Sequence, residues 1–277
     1  MSNDNHNSTA TVPSIAAWVR SAGLSLPPRS TKPRALGITS MIDFGPDGFG
    51  WTGGVNGIRD LLDCAAPFID YAKIYAMNAV LMPAETVRRA VRLYHDADIT
   101  PFAGGILFEY AYRRGAVDDL VRHLRWLDIP ALEISENYVT LSDAERRNEI
   151  DRFQSAGFKV IYEFGRKNPE EPMSLDALGA IVTDCMSLGI GHVTVEQSEI
   201  DLFVTAAGGL AALAAAPWYR HIVIEVDPYR FPQQHAQIIR DFGPEVNLAN
   251  VTPGQVLRLE GFRRGIGRAV NYSLLSG

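Results

Sequence analysis

The chain has no apolar run of the roughly 18 residues that a membrane span requires, and its start lacks the basic-then-apolar order of a secretory leader. Those absences predict a cytoplasmic protein with no membrane partner. Cysteine is scarce: Cys64 and Cys185 are the only two in 277 residues, too few for a disulfide scaffold. Both have apolar neighbours at helix-like spacing and are expected to be buried thiols. Basic residues are also in deficit, and a net charge of −6 argues against nucleic acid as a partner. His and Cys never gather at metal-ligand spacing, and no Gly-Lys-Ser/Thr follows the glycine-dense stretch Gly45–Gly54, which removes a zinc site and a P-loop. That loop, Phe44–Gly57, is left as either an anion cradle, a lid, or plain surface. How many copies associate is not encoded in any pattern here, and a homo-oligomer stays open.

What the chain does have is rhythm. Eight short segments rich in β-branched residues alternate with helical stretches: Ala35–Asp43, Ile69–Tyr75, Ile99–Gly105, Ala131–Ser135, Lys159–Gly165, His192–Gln197, His221–Asp227 and Val246–Val251. Near-continuous apolar runs of this kind suit parallel strands buried on both faces. Helical spacing marks Ala84–Ala97, Asp143–Ala156, Ser174–Leu188, Pro232–Phe242 and Pro253–Arg264, with Ser142, Ser174 and Thr252 at N-cap positions. The alternation predicts an α/β fold, a single (β/α)8 TIM barrel over residues 32–277. Residues 1–31 read as a flexible N-terminal extension, polar over Met1–Thr11, with a short amphipathic helix over Val12–Leu26.

Charge collects where the strands end. Asp43, Lys73, Glu109, Glu133, Glu163, Lys167, Glu196 and Glu225 are predicted to meet in one cavity at the C-terminal face, because the strand ends of a closed barrel surround its axis. Ionised groups are unfavourable inside a barrel unless paired or bound to a cation. An acidic set made only of oxygen donors suits Mg²⁺. Glu136 and Asp227 also stand near strand ends, where a loop cap or a local ion pair accounts for them equally well. His192 and His221 open their strands, at the rim opposite the site, and are expected to be structural; His95, His123 and His235 lie in helical segments.

Several strings, in this order, resemble the phosphosulfolactate synthase family, whose members add sulfite to phosphoenolpyruvate with Mg²⁺ on a (β/α)8 barrel. They are Met41-Ile42-Asp43, Ile69-Asp70-Tyr71-Ala72-Lys73, Gly104-Gly105-Ile106-Leu107-Phe108-Glu109-Tyr110-Ala111-Tyr112, Leu132-Glu133-Ile134-Ser135, Glu163-Phe164-Gly165-Arg166-Lys167, Val246-Asn247-Leu248-Ala249-Asn250 and Leu259-Glu260-Gly261-Phe262-Arg263-Arg264-Gly265. The resemblance spans about Lys32 to Gly265. It implies a cytoplasmic carbon–sulfur lyase or synthase of sulfonate biosynthesis acting on a small anionic substrate. Its catalytic residues would be Lys167, Lys73, Glu109 and Arg166, with Lys167 delivering a proton to the enolate carbon. Gly104, Gly105, Asn247, Asn250, Arg263 and Arg268 would bind substrate, and Asp43, Glu133, Glu163, Glu196 and Glu225 would hold Mg²⁺. A proton donor of this kind works best if burial or nearby cations pull its pKa down toward neutrality.

The chain departs from the family pattern at its anion-binding positions. Phe44 stands where the family has a Lys, Tyr75-Ala76-Met77-Asn78-Ala79 replaces a Gly-Thr-bearing turn, and Glu136-Asn137 replaces Asp-Gly. The sixth-strand string reads Glu196-Gln197-Ser198-Glu199 without its Arg, and Arg268 is displaced by one residue. Charge-assisted contacts contribute about 1.5–3 kcal/mol each, so these losses predict poor use of the family's own substrate pair; phosphosulfolactate synthesis itself and addition of sulfite or another nucleophile to a less anionic enol or enoyl acid both stay open. The alternative reading is a catalytically inactive family member serving as a binding or stress-related protein.

Overall fold

The computed structural model describes residues 24–47, 54–205 and 209–276. Strands β1 (Thr39–Asp43), β2 (Tyr71–Ile74), β3 (Thr100–Ala103), β4 (Ala131–Ser135), β5 (Lys159–Phe164), β6 (Val193–Val195), β7 (Ile222–Glu225) and β8 (Leu248–Val251) close a barrel in sequence order. Every neighbouring pair is parallel, β8 returning to β1. The connecting helices are α1 (Val55–Ala65), α2 (Asn78–Leu81), α3 (Ala84–Asp96), α4 (Gly105–Arg113), α5 (Val117–Trp126), α6 (Asp143–Ser155), α7 (Leu175–Ser187), α8 (Gln197–Thr205), α9 (Gly209–Ala215), α10 (Gln233–Phe242) and α11 (Val256–Arg263).

Local signals account for many of these boundaries. Helix α6 starts with a reciprocal cap: the Ser142 hydroxyl accepts the Glu145 N–H while the Glu145 carboxylate accepts the Ser142 N–H. Ser174 caps α7 through the Ala177 N–H, and Gln255 accepts the Thr252 N–H ahead of α11. Helices α3 and α5 bury Val87, Val91 and Tyr94, and Leu120, Val121 and Leu124, at helical spacing against the sheet. The expected strands were longer than those observed because apolar residues such as Ile38 and Ile69 stay buried beyond the ladder. Gly105, expected to end β3, instead opens α4. Cys64 is exposed on α1, against expectation, because it falls off that helix's buried stripe; Cys185 is buried, and both are free thiols.

Strand parity sorts the interior from the helix-facing layer. Met41, Ala72, Ile74, Leu132, Ile134, Val193, Val195, Ile222, Ile224 and Leu248 pack into the main hydrophobic core. The alternate positions point into the barrel in two tiers. The lower tier, with Ser40, Tyr71, Ile161, Thr194 and Val223, lines a cavity of about 280 Å³ at the N-terminal end. Two residues further along the same strands, Ile42, Lys73, Glu163 and Glu225, joined by Glu133 of β4, line a cavity of about 240 Å³ at the C-terminal end.

The base of the barrel is tied by arginines. Arg34 Nη1 lies 2.9 Å from both Asp70 oxygens, Arg29 pairs with Glu245 at 2.5 Å, and Arg264 Nε reaches Glu260 at 2.7 Å. Arg264 also donates to the Pro27 carbonyl at 2.5 Å, so residues expected to belong to a free extension are bound to the base. The amphipathic segment expected over Val12–Leu26 lies outside the described residues up to Gly23, and so does the Gly48–Gly53 part of the glycine-dense loop.

Candidate active site

The upper cavity is organised around a buried lysine, Lys73, a partly exposed one, Lys167, and four buried carboxylates. Lys73 Nζ, on β2, lies 2.8 Å from Glu133, 3.1 Å from Glu163 and 3.7 Å from Glu225. Lys167, just beyond β5, pairs with Glu196, and its Nζ lies 3.6 Å from Glu225. Glu133, Glu163, Glu196 and Glu225 are each at most 2% exposed. Six of the eight residues predicted to converge therefore do so, contributed by β2 and by strands β4 to β7.

Two backbone features make room for this cluster. Gly105 donates its N–H to Glu133 Oε1 at 2.9 Å, and a Cβ there would lie 2.3 Å from Ser135 Oγ, so only glycine lets α4 begin this close to β4. Gly165, at φ +114°, turns the chain after β5; a Cβ there would meet Glu199 at 2.5 Å.

The formal charges do not balance. Four buried carboxylates face two ammonium groups, a formal surplus of two negative charges. The titration behaviour follows from this. Burial, reinforced by Glu163, pushes the Glu133 carboxyl up to about 8. Burial, with Glu225 and Glu163 beside it, pushes Glu196 up to about 9. For Glu163, burial is outweighed by Lys73 and Lys167, which hold it down at about 2. Lys73 and Lys167 are both raised above the ordinary lysine value, because the surrounding carboxylates overcome the burial that opposes their charge. The expectation that the Lys167 pKa is drawn toward neutrality is thus corrected: its neighbours are anions, and they keep it an ammonium.

Oxygens of Glu163, Glu196 and Glu225 lie within 4.8 Å of one another. Asn250, also lining the cavity, gives its amide NH₂ to Glu225 and leaves a buried Oδ1 without a partner. Three carboxylates, an orphaned amide oxygen and two surplus negative charges fit a hard divalent cation bound through oxygen.

Other residues expected at the site stand elsewhere. Asp43 is one residue off the inward parity, faces α3, and accepts from the Tyr94 hydroxyl and from the Gly45 N–H at 2.7 Å. Glu109 lies on α4, and its carboxylate is filled by the Ser135 hydroxyl and the N–H groups of Asn137, Tyr138 and Val139 at 2.8–3.0 Å, so it holds the β4–α6 loop and does not face the cavity. Arg166 is exposed and donates to Thr140 Oγ1 at 3.0 Å. Asn247 is at the start of β8, where its side chain bonds Ile38 N and Ile222 O at 3.0 Å, and Arg263 donates to the carbonyls of Pro244, Val246 and Ile38; both belong to the base. Arg268 is exposed beside α10. Gly104, Gly105 and Asn250 do line the cavity.

Sequence reasoning missed three lining residues. Asn137 donates from Nδ2 to Glu163 Oε1 at 2.8 Å and to the Gly165 carbonyl at 3.0 Å, linking the fourth and fifth strand ends. Tyr75 and Tyr138 form the rim, 43% and 56% exposed, and the ring of Phe44 rests against Tyr75 with centroids 4.6 Å apart. Loop residues carry no periodicity; Tyr75 and Asn137 stand out only as departures from the family pattern, and Tyr138 only by its adjacency to a strand end. His192 and His221 are at the opposite rim, as expected, each bonded to a backbone carbonyl at 3.1 and 3.2 Å.

A model of the (2R)-phospho-3-sulfolactate synthase (ComA) family matches residues 27–268. The phosphosulfolactate synthase of Methanothermobacter thermautotrophicus is 30% identical over 248 residues, covering 87% of this chain and 93% of that protein. Those of Methanocaldococcus jannaschii and Bacillus subtilis are 29% and 28% identical over 239 and 257 residues, covering 83% and 88% of this chain and 92% and 95% of those proteins. Matched along nearly its whole barrel, the chain belongs to the phosphosulfolactate synthase family.

Proposed function

We propose that this barrel joins a sulfur nucleophile, sulfite in the family reaction, to the double bond of an enol or enoyl acid, of which phosphoenolpyruvate is the family's example, with Mg²⁺ as cofactor. The observation that carries this reading is the pairing of two ammonium groups, one buried and one partly exposed, with three clustered carboxylates in one cavity at the barrel mouth. Addition needs charge steadied on the acceptor's carboxylate side and a proton delivered to carbon, and both tools are present.

In the reaction, the sulfur lone pair forms a C–S bond to the terminal methylene carbon. The C=C π pair moves toward the adjacent carbon and its carboxylate. Lys73, fixed by Glu133 and Glu163, orients that carboxylate by charge. Lys167, held as an ammonium by Glu225, Glu163 and Glu196, gives its proton to the carbon that received the π pair; its side chain is 31% exposed, so water returns the proton afterwards. Asn137 keeps Glu163 aligned between the two lysines. A magnesium ion held by Glu163, Glu196 and Glu225 would supply the Lewis acidity that stabilises the charge developing on the acceptor.

The test is product formation by purified protein with Mg²⁺, sulfite and phosphoenolpyruvate, followed by mass spectrometry, with Lys167→Ala as the comparison. Sulfonate formation above the rate of Lys167→Ala supports the reading. Equal rates for the two proteins would remove Lys167 from the chemistry, and no adduct with any enoyl acid would leave a binding protein on an enzyme's scaffold.

A further inference from the structure

The cavity holds no cation to spare. Lys73 contacts three carboxylates and Lys167 two, and among the described residues no other Lys or Arg lines the cavity. Arg166, the nearest in sequence, turns to Thr140. Arg263 and Arg264 are spent on carbonyls and Glu260 at the other end of the barrel. Residues 48–53, outside the described set, contain no Lys or Arg in their sequence. A divalent cation would bring the cluster of four carboxylates and two ammonium groups to neutrality and leave no net positive field for a ligand with several negative charges. One acceptor carboxylate can be accommodated between the lysines; beyond it and the sulfite nucleophile, a further doubly charged group on the acceptor has no fixed counter-charge among the described residues.

The rim has a different chemistry. Tyr75 and Tyr138 line the mouth and expose 43% and 56% of their surface, and the Phe44 ring lies tilted against Tyr75 with centroids 4.6 Å apart. Single exposed aromatics are ordinary, but two at the opening of a charged cavity, one of them backed by a third ring, present aromatic surface beside the site. Aromatic faces of this kind recognise planar apolar groups through offset or tilted ring contacts.

We infer that the acceptor for this barrel is an enoyl acid with a single anionic group, its carboxylate, and a planar apolar substituent that rests on Tyr75, Tyr138 and Phe44. This rests on the addition reaction proposed above and narrows its substrate class. The step is unchanged: the C–S bond forms at the methylene carbon, the double bond is lost, and the proton goes to the carbon that bears the substituent.

The direct probe is 2-phenylacrylate, which keeps the methylene acceptor and carboxylate of an enol acid and carries a phenyl ring as its third group. Rates with sulfite and Mg²⁺, corrected for the uncatalysed addition, are compared with those for phosphoenolpyruvate. The inference predicts a kcat/KM for 2-phenylacrylate at least about tenfold higher, and a fall of about fivefold or more in that preference for Tyr75→Ala, which Tyr75→Phe restores. A preference for phosphoenolpyruvate of similar size overturns the substrate class while leaving the addition reaction intact. If neither acceptor reacts faster than with Lys167→Ala, the addition reading fails, and calorimetry with Mg²⁺ and the unreactive 2-phenylpropanoate decides the class: tighter binding than phosphoenolpyruvate sustains it, and weaker or no binding overturns it.

Discussion

The two ends of the barrel treat charge in opposite ways. At the base, Arg29, Arg34 and Arg264 meet Glu245, Asp70 and Glu260, and Arg263, the fourth arginine, donates from both terminal nitrogens to backbone carbonyls. The Arg29–Glu245 and Arg34–Asp70 pairs, and the bond from Arg264 to the Pro27 carbonyl, join segments far apart in sequence, and the base works as a clasp. At the mouth, four carboxylates crowd two lysines, and burial, reinforced by the neighbouring carboxylates, pushes two carboxyls up to about 8 and 9. Charges matched within the fold serve stability, whereas a surplus that the fold maintains calls for something from outside.

That contrast predicts separable losses, and the largest is at the mouth. Lys167→Ala should lower turnover by ~10²–10⁴ while the melting temperature stays near wild type, since general acid catalysis contributes on that scale and the residue is partly exposed. A melting temperature that falls together with the activity would make Lys167 part of a second clasp. At the base, Arg263→Leu should have the reverse effect. It strips the donors from the carbonyls of Pro244, Val246 and Ile38 and should destabilise the fold by about 2–4 kcal/mol in urea unfolding, with the turnover of the remaining folded protein retained. Lost turnover in fully folded Arg263→Leu would break the comparison.

The same contrast explains what the sequence could reveal. The alternation of short apolar segments with capped helices was enough for a closed barrel, and Ala131–Ser135 was legible to the residue because Pro130 precedes it and Glu136-Asn137 follow it. Lys73, Glu163 and Glu225 were legible because each ends a strand on the inward parity, which converts position along the chain into position around the axis. Asp43 ends a strand too, but on the outward parity, and register cannot be read from a list of strand ends. Glu109 sits one turn into a helix, where its partners are backbone groups of a loop that no periodicity announces. Asn247 and Arg263 lie in strings that resemble the family closely, yet serve the clasp, because resemblance does not distinguish the residues that build a barrel from those that act in it.

A smaller effect follows from pH. Glu133 and Glu196 bind their protons more tightly folded than unfolded, so their contribution to stability is greatest below the ordinary carboxyl value of 4.5 and declines as pH rises through about 8 and 9. Glu163 behaves oppositely, and its contribution is lost only as pH falls from 4.5 toward about 2. The metal-free protein should therefore melt at progressively lower temperature between about pH 6 and pH 9, and Glu196→Gln should flatten that slope. A slope unchanged in Glu196→Gln would place the titration outside the mouth. Smallest of all, Arg268→Ala should leave stability within about 0.5 kcal/mol of wild type and turnover unaltered, because the side chain is exposed beside α10, away from the mouth. A clear loss of turnover would return Arg268 to the substrate-binding set.

The central claim is that the surplus charge at the mouth is a cation site, and calorimetric titration of Mg²⁺ into metal-free protein, repeated in buffers of different ionisation enthalpy, tests it most directly. The account predicts one Mg²⁺ per chain, protons released on binding, affinity that rises between pH 7 and pH 9 as Glu196 and Glu133 give up their protons, and loss of binding in Glu163→Gln. Mg²⁺ binding that releases no protons and survives Glu163→Gln, or no binding at any pH in this range, would contradict it.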